Sequence, residues 1–156
     1  MKKYLFAFLL SMVPVLELRG AVPMGIAMGG NELLVLAICV VGNMLPVPLI
    51  YFFARKFLLW GAQKRYLSKA CHLLLDKGEK AGQKLVSKTG RGGLFAALLL
   101  FVGIPLPGTG AWTGALAASF LNMGFKSTVA SVSLGVVLAG IIMAVASTGV
   151  LHIFGL

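Results

Sequence analysis

Two of the four apolar blocks in this 156-residue chain are broken at their midpoints by proline, glycine and charge. Residues 4–30 carry Pro14-Val15-Leu16-Glu17-Leu18-Arg19-Gly20 between two arms of about ten residues, and residues 94–123 carry Pro105-Leu106-Pro107-Gly108-Thr109-Gly110 in the same place. An arm of about ten residues reaches roughly 15 Å, half of a ~30 Å hydrocarbon core. Two prolines and two glycines in six residues cannot continue a helix. Such a break at membrane depth is tolerated only where protein or a water-filled cavity covers it.

The membrane reading rests on composition. With 59% hydrophobic and 12% charged residues, the chain has too little polar surface for a soluble domain. Residues 32–54 and 127–151 are each long enough to span, and the second carries no charge at all. The first contains Gly42, Asn43, Pro46 and Pro48 and is expected to be kinked or locally unwound. The net charge of +10 does not point to nucleic acid, because ten of the fourteen basic residues lie between Arg55 and Arg91. That clustering is the positive-inside mark of a cytoplasmic loop. Cys39 lies in an apolar block and Cys71 in the basic one, so no disulfide framework is expected. Lys2-Lys3 before an apolar run looks like a signal peptide, but Leu16-Glu17-Leu18-Arg19 is no cleavage site, and the segment is expected to stay in the mature protein.

Two topologies fit. Each broken block is either one kinked spanning helix, giving four spans with both termini inside, or a re-entrant hairpin that dips to the midplane and returns. Hairpins are favoured, because they place the two halves in opposite orientation, the inverted-repeat logic of many transporters. The expected fold is thus an all-α integral membrane protein, a single membrane domain over residues 1–156. A first repeat occupies 1–54, with hairpin 4–30 and span 32–54, and a second occupies 94–156, with hairpin 94–123 and span 127–151. Both termini then lie outside. The basic loop 55–93 is read as an interfacial amphipathic helix, with Trp60 and Tyr66 at headgroup depth, or as a solvated cytoplasmic helical hairpin. Gly78, Gly82 and the run from Thr89 to Gly93 are expected to end it.

Glu17 and Arg19 are the only opposite charges inside an apolar block, and an ionisable group at membrane depth marks a functional site by default. On a regular helix, positions two apart face away from each other; in a non-helical tip both can enter one cavity. Glu17 can exchange a proton there, while Arg19 neutralises it or holds an anion; a bare structural salt bridge is the alternative. The second tip offers backbone instead. Gly108, Thr109 and Gly110 expose N–H groups, and arms starting near Ala21 and Ala111 aim helix N-termini at the midplane, where they attract anions. Thr109 and Thr113 add hydroxyls. Gly20, Pro23, Pro105 and Pro107 shape the two tips, and close packing by these glycines is an equal reading. Asn43 reads first as packing glue and second as a cavity hydrogen-bonder; Trp112 reads equally as cavity lining or packed aromatic. His72 and His152 lack ligand partners at metal spacing, so no metal, no cofactor and no enzyme chemistry is expected.

ELRGAVPMGIAMG and IPLPGTGAWTGALAA closely resemble the small multi-drug export protein family over nearly the whole chain. That family is distantly similar to the DedA (SNARE-associated, VTT-domain) superfamily, in which paired re-entrant hairpins with charged tips are implicated in flipping undecaprenyl phosphate and other lipids. The resemblance implies an ion-coupled transport role, with Glu17 and Arg19 matching the charged first tip and Pro105, Pro107, Gly108 and Gly110 the broken second one. The second hairpin lacks the DedA arginine, which counts against a phosphate-lipid substrate.

The leading expectation is a proton-coupled secondary transporter exporting a small solute from a prokaryotic inner (plasma) membrane. The alternatives are a DedA-like flippase for a phosphate-bearing lipid carrier and a non-transporting scaffold or assembly protein. Partners are membrane lipid, protons or another coupling ion, and a small-molecule or lipid-linked substrate. Two spans and two hairpins are few to enclose a pathway, which favours a homodimer.

Overall fold

A computed structural model describes residues 2–14, 16–62, 68–106 and 108–154, and all the regular structure among them is helical. The seven helices are α1 (Lys2–Met12), α2 (Glu17–Ala27), α3 (Glu32–Met44), α4 (Pro46–Ala62), α5 (Ser68–Gly103), α6 (Ala111–Phe120) and α7 (Phe125–Phe154). Lys64, Arg65, Tyr66, Leu67 and Pro107 lie outside the described residues.

Local chemistry accounts for most boundaries. Pro14 disfavours helix at the residue before it, and α1 stops at Met12. After α2, Gly29 turns with φ 73° and the Gly30 N–H reaches back to the Gly25 carbonyl, an arrangement that satisfies the last turn. Asn31 then caps α3, its side-chain oxygen accepting from the Leu34 N–H at 3.2 Å. Between α3 and α4 only Leu45 leaves the helical ladder, and its backbone keeps right-handed helical angles. The missing donors of Pro46 and Pro48 explain this interruption. Helix α5 runs through Gly78 and Gly82 and departs from helical angles only at Gly90, with φ 71° and ψ 179°. The expected break across Gly78 and Gly82 is therefore corrected: an isolated glycine weakens a helix without ending it.

Helices Glu32–Ala54 and Phe125–Gly149 are long and apolar enough to cross a membrane, and only 33% of an 18-residue apolar stretch of each is buried within the protein. Leu33, Val41, Leu49, Phe53 and Val145 stand exposed along them. A soluble protein would cover these faces; lipid is the solvent that does so.

Helix α2 packs among α1, α3 and α7, and α6 packs among α4, α5 and α7. The first two helices fold back on each other: the Lys3 ammonium donates to the Gly29 carbonyl, and the Asn31 N–H donates to the Tyr4 hydroxyl at 3.2 Å. Contacts at Ala7 with Cys39 and at Phe8 with Gly42 make α1 parallel to α3. Phe95 with Ser131 and Gly103 with Leu138 make the last part of α5 parallel to α7. Met44 with Ser133 and Leu36 with Gly140 make α3 antiparallel to α7. Each parallel pair meets at a glycine. A methyl at Gly42 would come 2.8 Å from the Phe8 carbonyl, and one at Gly135 would come 2.8 Å from the Leu99 carbonyl.

Those two contacts generate a stability prediction. Gly42→Ala and Gly135→Ala should each destabilise the detergent-solubilised protein by about 1–3 kcal/mol, overpacking outweighing the ~1 kcal/mol gain in helix propensity. Gly124→Ala, where no atom lies within 4 Å of the added methyl, should melt with the parent. Thermal unfolding of the three variants checks this.

Candidate functional site

The first turn of α2 carries both intramembrane charges. The helix starts at Glu17, four residues before the arm expected near Ala21; Arg19 lies in its first turn, while Glu17, with φ 46°, keeps a non-helical backbone. Both line one cavity, yet they take different partners. The Glu17 carboxylate lies over the start of α6, where Oε2 accepts from the Ala111 N–H at 3.2 Å and Oε1 from the Trp112 N–H at 3.1 Å. The Arg19 guanidinium reaches the loop just past the end of α5. It donates to the Leu106 carbonyl, to the Ile104 carbonyl at 3.3 Å and to Thr109 Oγ1 at 2.6 Å. The acid thus occupies the positive end of one helix and the base the carbonyl-rich end of another, the placement that helix dipoles favour.

The backbone is shaped around this exchange. Glu17 has φ 46°, a left-handed conformation that costs a non-glycine residue about 1–2 kcal/mol. Gly110, the residue before α6, has φ 156° and ψ −172°, and a methyl there would overlap the Glu17 carboxylate. Glycine at 110 is required twice, by its torsion angles and by the close approach of Glu17. Thr109 Oγ1 also donates within the loop, lying 2.9 Å from both the Ile104 and the Leu106 carbonyls.

A cavity sits where the two helix starts meet, with about 10 Å³ open to the centre of a water molecule. Its walls include Glu17, Arg19, Gly110, Asn43, Val136 and Ala139. Asn43 and Val136 lie near the midpoints of Glu32–Ala54 and Phe125–Gly149, so the cavity is at the middle of both spans. Asn43 is 2% exposed, and its Oδ1 has no hydrogen-bond partner in the protein.

The remaining expected site residues sort clearly. Thr109 serves Arg19, and Trp112 contributes its backbone N–H to Glu17, while its ring packs on the core and its buried indole N–H has no partner in the protein. Thr113 donates to the Gly110 carbonyl at 3.3 Å within its own helix. Gly20 lies against Leu16, Pro23 is half-buried within α2, Pro105 is half-buried in the loop and Gly108, with φ 83°, is exposed at its tip. None of these four lines the cavity. Leu18, Val102, Ala111, Val136 and Ala139 do line it. As apolar residues in apolar blocks they carry no sequence signal; only Ala111 was foreshadowed, as the start of the second arm.

With this geometry in view, the chain matches the family described as "Putative small multi-drug export protein" over residues 17–142. The chain belongs to the small multi-drug export protein family. The match begins at Glu17 and contains every residue of the cavity wall. No curated protein and no solved structure matches the chain. Family and exposed apolar spans together make this a membrane protein of an export family.

The guanidinium holds the 104–109 loop through three bonds, each worth about 1.5–3 kcal/mol when a charge is involved. Arg19→Ala should therefore speed amide exchange of Leu106 and Gly108–Gly110 at least tenfold in nanodiscs, with α7 unaffected. Arg19→Lys, which lacks the planar fork, should fall between. Hydrogen–deuterium exchange read by mass spectrometry checks both.

Proposed function

We propose that this small multi-drug export family member is a secondary transporter that exports a small solute, coupled to proton movement through Glu17. The carrying observation is a carboxylate, 6% exposed, at the middle of both spans, held by the backbone of a broken helix. Ionisable groups at that depth mark ion pathways. Hydrogen-bonded to two N–H groups, Glu17 closes the contact between α2 and α6; protonated, it would hold α6 less firmly and let the two helix starts separate. Proton binding then acts on a two-state contact, which is what coupling requires.

The proposed architecture is an inverted repeat. Its first half is the α1–α2 hairpin with the α3–α4 span, its second the Gly90–Gly103 and α6 hairpin with α7. The parallel pairing of α1 with α3 and of α5 with α7, and the antiparallel run of α3 and α7, support it. The bonds from Lys3 and Tyr4 to residues 29 and 31 put both ends of the first block at one level, as a re-entrant hairpin requires. Helices of 11 and 10 residues reach about 15–16 Å, half the bilayer. In the proposed prokaryotic inner membrane, the charge of the basic loop 55–93 supports a cytoplasmic position for it. The substrate reading keeps both arms: a cationic solute exchanging against Glu17, or an anionic head group, as in a DedA-like flippase, drawn by Arg19.

A second reading, a non-transporting scaffold, is favoured by the three bonds from Arg19, which leave the loop firmly closed. Flux in proteoliposomes under an imposed pH gradient separates the two. Export of cationic dyes should be driven by the gradient in the parent protein, and Glu17→Gln should lower it at least tenfold. Equal gradient-driven flux in Glu17→Gln would defeat the coupling role, and no flux of cationic or anionic probes in the parent would favour the scaffold.

A further inference from the structure

The Asn43 amide is the polar group that the helix contacts leave unexplained. It lies on α3, 2% exposed, with Oδ1 unpartnered in the protein, and it shares the small cavity with the Glu17 carboxylate and the Arg19 guanidinium. Buried acceptors without donors are rare, because the desolvation they suffer is not returned. The Asn43 side chain and the Glu17 carboxylate line one cavity, and a donor seated in it can serve both. The space is that of a single water, which typically makes three hydrogen bonds in such sites.

Three partners are available. A water there can donate one proton to Asn43 Oδ1 and the other to the Glu17 carboxylate. It can accept from Arg19, whose guanidinium has five N–H groups and uses three on the 104–109 loop. A metal cation suits the site poorly, since the Arg19 charge lines the same wall. The other titratable or charged groups described on the elements around α2 are Lys2, Lys3 and Tyr4 on α1, Glu32 and Cys39 on α3, and Lys126 on α7. None of them lines the cavity; Lys3, Tyr4 and Cys39 bond or pack elsewhere.

We propose that Asn43 is a positioning residue that binds one water against the Glu17 carboxylate, and that this water delivers and removes the Glu17 proton. The role rests on the proton-coupled reading above. In the transfer step, a proton arriving on the water gives a hydronium, whose proton moves to a Glu17 oxygen. The water is left neutral and the carboxylate becomes a carboxylic acid; the reverse step restores both.

The test reads the water itself. Infrared difference spectra of the membrane-embedded protein, taken across a pH step in ordinary and heavy-oxygen water, should show an O–H stretching band that shifts with the isotope. The band should be lost in Asn43→Leu, which fills the space without an acceptor. It should also be lost or displaced in Asn43→Ala, which leaves space but no acceptor, so one variant suffices if the other does not fold. Proton-driven dye flux should fall about tenfold in either, with Asn43→Ser restoring part of both signals. An isotope-shifted band unchanged in Asn43→Leu and Asn43→Ala would overturn the assignment, as would the absence of any such band in the parent. The two failures are distinguishable: if Glu17→Gln abolishes driven flux while the Asn43 variants transport normally, the coupling reading stands and the water relay falls.

Discussion

The Glu17 carboxylate on the first two N–H groups of α6 is the contact on which the rest of the structure depends. Helix α6 starts inside the protein at a glycine that offers no side-chain cap, so its leading N–H groups need an acceptor from elsewhere. Glu17 supplies it from 94 residues away in the chain. The exchange has consequences on both sides. Glu17 adopts a left-handed backbone conformation to aim its side chain, and position 110 admits only glycine because the carboxylate fills the space of a methyl. With the acid committed to α6, Arg19 turns to the carbonyls beyond α5, and the Pro/Gly loop between the two helices is clamped at both ends.

This division of charge differs from an ion pair in what it can do. A direct salt bridge would tie α2 to itself and leave the broken second block unanchored. Splitting the charges between two helix ends makes one helix start the keeper of the whole interface. Any event that neutralises Glu17 acts on the start of α6, while the loop stays with Arg19. The surrounding contacts are small: the lining is apolar at Ala111 and Ala139, and the neighbouring parallel pairs α1 with α3 and α5 with α7 meet at Gly42 and Gly135, each adjacent in sequence to a residue of the cavity wall. On the proposed transport reading, Glu17 is the local switch that an alternating-access site needs.

Much of this was legible from residue order. Proline and glycine density marked both interruptions, because missing donors and free torsion angles act locally. Glu17 and Arg19 stood out because charge in an apolar block is costly wherever it finally points. Their partners were not legible: pairing across 94 residues depends on how the two halves pack, which no local pattern encodes. The helix beginning at Glu17 rather than near Ala21 was hidden for a related reason, since its first residue takes a torsion angle that its residue type alone disfavours. Asn43 shows the same limit from the other side. A lone amide in a span reads as packing, and only its place beside Glu17 makes its unpartnered oxygen meaningful.

The proposed inverted-repeat transporter requires the two broken blocks to enter and leave the membrane on one side each, from opposite sides, so that their tips meet in the middle. Side-resolved labelling of single cysteines at Lys3, Met28, Gly92 and Gly124, in a background with Cys39 and Cys71 replaced, tests that most directly. Reagent from outside the cell should reach positions 3 and 28, and reagent from the cytoplasm should reach 92 and 124. Positions 3 and 28 labelled from opposite sides would make the first block a spanning helix, and the meeting of Glu17 with α6 at the midplane would have to be abandoned.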